Sequence, residues 1–585
     1  MTDHDFPSPS PSPSPSPDAP DPAAPRALTR RDFLAGTVAL VAAVPLAGAP
    51  AIHLPSRKRY DIIVRGGHVF DGTGRDAIAA DVAITGDRVT AVGAALGEDA
   101  RLVIDAHGLA VSPGFIDIHS HADGTLFRDP RVESTIRQGV TTVIVGQDGS
   151  SRAPRRAGGE GDDDTARGAS PGSGSGTTGL GEVFRSIDAL PSAVNVASMV
   201  GLGTVRHVVV GDADRPATPD EMRRMVALVE SALADGACGA SSGLEYTPGA
   251  FAPRAELVAL CRPLVRRGLP YATHMRNEDD RLLEAIDEAI AVARGAGCPL
   301  QISHLKTEGK RNWGKLDDVF ARIDGAKRAG LDVAFDRYPY VAYQTGLSNL
   351  FPDWAEDGGT DAFLARLADA SVAPRLRGAV GDKIALLGGW DNVLISSVRA
   401  DADRGVEGKR LGDWAASVGR DPYDAAVALL VRSRGDVGMV GFGMTEPNLE
   451  RILAHPLGMV CSDGGAFATE GAARVGHPHP RSLGTFPRVL ARYVRERRVL
   501  TLAQAIHKMT ALPASRLRLA DRGRLARGCA ADVVVFDPGT VRDRATYAEP
   551  FQYPDGIGVV IVNGRVALRD GERAARGSGR ALRAG

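Results

Sequence analysis

Between residues 113 and 519 the chain alternates repeatedly between short apolar runs and amphipathic stretches. TTVIVG, VNVASMVG, GLPYATHM, PLQISHL, LDVAFDRYPY, KIALLG, DNVLISS and GMVCSD read as strands. PDEMRRMVALVESALADG and DDRLLEAIDEAIAVARGAG carry the helical period between them. Alternation at this spacing predicts an α/β fold of parallel strands with helical crossovers. A (β/α)8 TIM-type barrel fits best, because polar and metal-type residues stand where the apolar runs end. A doubly wound sheet is the alternative, but no G-x-G-x-x-G follows an early strand.

Both flanks of this region have a different texture. YDIIVRGGHVFDG, DVAITGDRVTAVG and ARLVIDAHGLAVSPG are short strands with Gly turns. GRLARGCAADVVVFD and GIGVVIVNGRVALRDG match them near the other end. Each piece alone is too thin to hold a good core. Residues 57–112 and 520–575 are therefore expected to pack together as one small β-sandwich, with 113–519 as the barrel and 576–585 as a tail. Residues 150–179, rich in Gly, Ser, Arg and Asp, read as a mobile loop insertion near the barrel mouth.

Residues 1–56 read as processing rather than fold. The PSPSPSPSP repeat cannot bury apolar surface. Arg30-Arg31-Asp32-Phe33-Leu34 then opens an apolar run that ends in Ala47-Gly48-Ala49. Charged head, apolar middle and small-residue end are the parts of an export signal, and the arginine pair resembles the twin-arginine type. From Leu34 to Ala47 the run is roughly 14 residues, short of the ~20 that span a bilayer. Export by the twin-arginine machinery to the periplasm or medium is the expectation, with no stable membrane anchor. A net charge of -1 gives no reason to expect nucleic acid. The five cysteines are scattered without a C-x-x-C, so buried thiols are expected rather than a disulfide framework.

FIDIHSHAD supplies the first chemistry. In a strand, His119 and His121 would share a face, since side chains at i and i+2 do. His274 ends GLPYATH, His304 ends PLQISH and Asp463 ends GMVCSD. Strand C-termini of a parallel barrel converge on one face, so ligands far apart in sequence can meet there. Asp148, just after TTVIVGQ, could add a carboxylate oxygen bridging two ions. Imidazoles with one or two carboxylates suit zinc, one or two divalent ions per chain, though other metals fit. Such an ion brings the pKa of a bound water near 7 and polarises a carbonyl. Asp463 can then serve as general acid and base.

The chain resembles the amidohydrolase superfamily and, within it, the N-acyl-D-amino-acid deacylases (D-aminoacylases). PGFIDIHSHAD, QGVTTVIVGQDG, GASSGLEYTPG, YATHMRNE, LQISHLK, DRYPY, CSDGG, HPHPRSLGTFPRVL and KMTALPASRLRLADRGRL carry the resemblance. It implies a barrel plus small β domain, zinc, and release of an acyl group from an N-acyl-D-amino acid or D-residue dipeptide. It also implies that His119, His121, His274, His304 and Asp463 are metal-associated, and that Lys306, Tyr338 and Arg481 bind the substrate carboxylate. Tyr340 competes with Tyr338 for that role. One departure stands out: the similar deacylases carry Cys where this chain has Asp148. The alternatives are a cyclic-amide hydrolase of dihydroorotase or hydantoinase type and a metal-stabilised binding protein without turnover.

Overall fold

The computed structural model describes residues 59–97, 99–156, 177–574 and 577–584. The segment expected to be an export signal, 1–56, and most of the expected loop insertion, 150–179, lie outside the described residues. Only the base of the insertion is described, where Arg155–Arg156 pairs antiparallel with Thr177–Thr178.

Eight parallel strands form the barrel: Phe115–Asp117, Val140–Val145, Asn195–Ser198 (continued by Val200–Gly201), Ala240–Gly243, Tyr271–His274, Leu300–Ile302, Val333–Arg337 and Gly458–Val460. The ring closes between last and first, where Ser120 and Gly464 form a parallel bridge. Helices occupy the crossovers. Pro219–Ala234 starts with a capping box between Thr218 and Glu221 and Pro219 in its first turn, which satisfies otherwise orphaned N–H groups. Leu282–Ala296 ends on Gly297 at φ 84°, the left-handed cap that glycine adopts at no steric cost. The expected barrel with a small β domain is the fold observed.

The two flanks are joined in one nine-stranded sheet. Its seam is antiparallel, with Val533 opposite Pro113 and Phe536 opposite Ala110. Ile62, Val82 and Val111 from one end bury against Val533, Val559 and Ile561 from the other. Residues 577–584 run along the barrel, with Val196 N–H donating to the Arg580 carbonyl at 3.0 Å and Leu582 N–H to the Val196 carbonyl at 2.8 Å.

Two runs read as barrel strands belong elsewhere. KIALLG lies inside helix Ala373–Leu387. So short an apolar run cannot by itself distinguish a strand from a buried helical turn; here Pro374 at the start and Gly388 in the left-handed region at the end bound a helix. DNVLISS does contain a strand, Val393–Val398, but it pairs antiparallel with Val437–Phe442, which also pairs with Ala342–Gly346. This small sheet is inserted before the last barrel strand and walls the barrel mouth. Among the described residues no helix is long and apolar enough to cross a membrane. All five cysteines are free thiols.

Candidate metal centre and active site

The side chains singled out as metal ligands meet at the C-terminal end of the barrel. His119 and His121 lie just beyond strand Phe115–Asp117, not within it. Strand alternation therefore does not aim them, contrary to the sequence reading; the adjoining loop does. Asp463 N–H donates to the His119 carbonyl at 2.8 Å, and His121 N–H to the Gly464 carbonyl at 3.0 Å. Below them the buried Asp117 accepts the Ser462 N–H at 2.8 Å. The first and last barrel strands thus fix both loops together.

Asp148, His304 and Asp463 all hold left-handed backbone, at φ 51°, 33° and 49°. For a residue with a side chain this costs about 1–3 kcal/mol each and persists only where the surroundings over-determine it. His304 shows how: its N–H donates to Asp336 Oδ1 at 2.8 Å. The turn swings each side chain off its strand axis and into the barrel mouth.

Asp148 Oδ2 lies 3.2 Å from His119 Nε2, 3.4 Å from His121 Nε2 and 3.6 Å from His304 Nε2. Asp463 Oδ1 is 3.1 Å from His121 Nε2 and 3.5 Å from His119 Nε2. On the other side, His274 Nδ1 and His304 Nε2 are 3.0 Å apart. Among the described residues three donor groups result, each with its ligand atoms within 4.8 Å of one another: His119, His121, Asp148 and Asp463; Asp148, His274 and His304; and Glu245, His274 and Glu278. Asp148 belongs to the first two. A carboxylate can contact two cations at once, and the imidazole-carboxylate set fits zinc or a similar divalent ion. Asp148 Oδ1 is buried with no hydrogen-bond partner, which a bound cation would relieve. Burial opposes charge on Asp148, yet the His119 and His304 imidazoles hold it well below the usual carboxylate range. Burial opposes charge on Asp463 too, and the Arg481 guanidinium overrides it.

The three expected substrate residues line the same cavity of about 1190 Å³. Arg481 donates from Nη1 to Asp463 Oδ2 at 2.7 Å, while its buried Nε has no partner. Lys306 is ion-paired with Glu278 and sits 2.6 Å from His304 Nδ1. The buried Tyr338 hydroxyl also lacks a partner. Tyr340 instead directs its hydroxyl at the Pro480 carbonyl, 3.4 Å away, and does not line the cavity.

Several residues of the site escaped the sequence reading. Glu245 Oε2 is 3.2 Å from His274 Nε2, and Asp336 Oδ1 is 3.5 Å from His119 Nδ1. Carboxylates behind ligating imidazoles fix ring orientation and tautomer. Glu278 carries Lys306. His479 positions Arg481 by accepting its backbone N–H at 2.9 Å on Nδ1. All four sit in motifs quoted above, GASSGLEYTPG, DRYPY, YATHMRNE and HPHPRSLGTFPRVL. Nothing in residue type or spacing separated them from ordinary surface charge.

A family model described as the amidohydrolase family matches residues 102–377 and 473–568. An N-acyl-D-glutamate deacylase of Alcaligenes xylosoxydans xylosoxydans is 38% identical over 508 residues, covering 87% of this chain and 93% of the relative. Among solved structures, the N-acyl-D-glutamate deacylase from Bordetella bronchiseptica, complexed with zinc and a phosphonate inhibitor, superposes with a TM-score of 0.76 at 36% identity, covering 90% of this chain and 99% of that one. A D-aminoacylase structure described as having a binuclear metal centre gives a TM-score of 0.74 at 37% identity, covering 90% of this chain and 100% of that one.

Proposed function

The chain belongs to the amidohydrolase family, and from that premise we propose that it hydrolyses N-acyl-D-amino acids to a carboxylate and a free D-amino acid. The observation that carries this reading is the side-by-side placement of the two donor groups sharing Asp148 and the cluster Lys306, Tyr338 and Arg481. The first suits an amide carbonyl, the second a free carboxylate.

His119, His121, Asp148 and Asp463 would hold one zinc ion, and Asp148, His274 and His304 a second. Bound there, zinc supplies Lewis acidity to the attacking water and to the scissile carbonyl. Asp463 does the proton work. Its Oδ2 is occupied by Arg481, so Oδ1 takes the proton of the attacking water and returns it to the leaving nitrogen as the C–N bond breaks. Arg481 and Tyr338, each with a buried polar atom lacking an internal partner, bind the substrate carboxylate together with Lys306. The barrel strands hold these groups at fixed separations, and the inserted sheet forms part of the cavity wall.

The test is a panel of N-acetyl-D- and N-acetyl-L-amino acids with the zinc-loaded protein. Turnover of D substrates, lost on exhaustive chelation and regained with zinc, is expected. Full turnover by metal-free protein would remove the metal from the reaction. We further propose export by the twin-arginine pathway, supported by Arg30-Arg31 ahead of Phe33-Leu34. Lysine at both arginines should abolish appearance of the protein outside the cytoplasm, and unchanged export would discard that route.

A further inference from the structure

Around the carboxylate anchors nearly every charge is closely matched, and one carboxylate has only a long ion pair. Lys306 is paired with Glu278, Arg481 with Asp463, and His274 faces Glu245. Lys383, behind the cavity wall, puts Nζ 2.8 Å from Asp279 Oδ2 but 3.6 Å from Glu308 Oε1. Its hydrogen bond goes to Asp279, while it faces Glu308 only as a long ion pair. Glu308 is left with the longer of the two contacts. It lines the cavity, is only 2% exposed, and its Oε1 has no hydrogen-bond partner. Tyr343 lines the same cavity at 7% exposure, and its hydroxyl faces Glu308 without a well-formed hydrogen bond. Burial pushes the Glu308 carboxyl up to about 7 despite the neighbouring Lys383. A buried acid held this way is one that a ligand's positive charge would ionise.

The place of this pair in the site matters as much as its charge. Glu308 is two residues beyond Lys306, and Tyr343 immediately precedes Gln344, whose carbonyl accepts from Arg481 Nη2 at 3.4 Å. The pair adjoins the carboxylate anchors. The α-carbon of an N-acyl-amino acid bears a carboxylate, an amide nitrogen and a side chain. With the first at the anchors and the second at the metal-type cluster, the side chain is directed to an adjoining part of the cavity wall, which includes Glu308 and Tyr343.

We propose that Glu308 and Tyr343 form the side-chain subsite, and that it selects N-acyl-D-amino acids whose side chain ends in an ammonium or guanidinium group. The proposal rests on the deacylase reading above. A charge-assisted N–H···O⁻ bond in a desolvated wall is among the strong hydrogen bonds. A site built to make such a bond rejects analogues that cannot make it. A second substrate carboxylate would meet Glu308 as a like charge, which disfavours ionisation of both. The wall thus has the wrong sign for a D-glutamate side chain.

The experiment measures kcat/KM of the zinc-loaded enzyme on N-acetyl-D-lysine, N-acetyl-D-leucine and N-acetyl-D-glutamate. Lysine should exceed leucine by about tenfold or more, with glutamate lowest. Glu308→Gln should bring the lysine-to-leucine ratio close to one, and Tyr343→Phe should lower it severalfold. The subsite is wrong if leucine or glutamate equals or exceeds lysine in the wild type, or if the ratio is unmoved in Glu308→Gln. Should that variant not fold, the wild-type order and Tyr343→Phe decide. Absence of turnover on all three would strike the deacylase reading itself, whereas turnover in the wrong order strikes the subsite alone.

Discussion

The two ends of the barrel treat buried polar groups in opposite ways. At the N-terminal end, Asn195, Arg522, Asp532 and Asn563 form a closed network. Asn195 Nδ2 donates to the Thr141 carbonyl at 3.1 Å, and Asn563 N–H to Asp532 Oδ1 at 2.7 Å. Asn563 Nδ2 donates to Asn195 Oδ1 at 2.7 Å, and Arg522 Nη2 to Asn563 Oδ1 at 3.0 Å, while Nη1 pairs with Asp532. These bonds tie the barrel to the β sheet, and the Asn563 Nδ2 bond to the Ser578 carbonyl at 2.8 Å adds the C-terminal segment. At the mouth, Asp148 Oδ1, Tyr338 Oη and Arg481 Nε are equally buried yet have no hydrogen-bond partner. An unmade buried hydrogen bond costs about 1–3 kcal/mol. A fold tolerates several at one place when a ligand is what completes them. Polar groups at the base contribute stability; those at the mouth are held ready for substrate and cation at stability's expense.

That contrast can be broken at four points. Asp463→Asn should cut kcat by about 10²–10⁴, the usual share of a general acid-base group, with the unfolding midpoint little changed. Steady-state kinetics beside thermal unfolding checks it, and near-normal turnover would take Asp463 out of the chemistry. Asp532→Ala at the base should do the reverse. It strands the buried Arg522 and should cost roughly 3–5 kcal/mol of stability, while kcat of the folded fraction stays near wild type. Chemical denaturation coupled to activity measures both.

Asp148→Ala tests whether one carboxylate serves both donor groups. Elemental analysis under excess zinc should find two ions per chain in the wild type and fewer in the variant, with affinity down by roughly 10–100-fold or more, since even residues behind the ligands have effects of that size. Asp148→Cys should keep one tightly held zinc, because a thiolate favours a single ion. Unchanged metal content in the alanine variant would leave Asp148 a turn residue. The smallest effect is expected at Tyr338→Phe. Its hydroxyl has no internal partner, so stability should hold or rise slightly. KM should increase by up to about tenfold, the worth of one hydrogen bond to a charged group. A loss of stability without a KM change would make Tyr338 structural.

Much of this site was legible before folding, and the reason is local. His274, His304 and Asp463 each close an apolar run, and in a parallel barrel the end of a strand has one destination. The His119-x-His121 pair was legible as a pair, although the strand stops at Asp117 and the loop bonds do the aiming. Strand Ala240–Gly243 was not legible at all: Ala-Ser-Ser-Gly has neither alternation nor β-branched bulk, and it is a strand because its neighbours supply the pairing. Glu245, which follows it, was hidden with it.

Residue type and period, which are properties of the chain alone, thus determined the fold class, the β domain made from both ends and the set of metal-type side chains. Tertiary structure decided the rest: which carboxylate belongs to two donor groups, which tyrosine reaches the cavity, and which buried charges are matched. Pairing of this kind depends on distances of a few ångströms between residues as far apart as Asp148 and His304 or Glu308 and Lys383. Hydrogen bonds and ion pairs fall off over those distances, and only the closed barrel sets them.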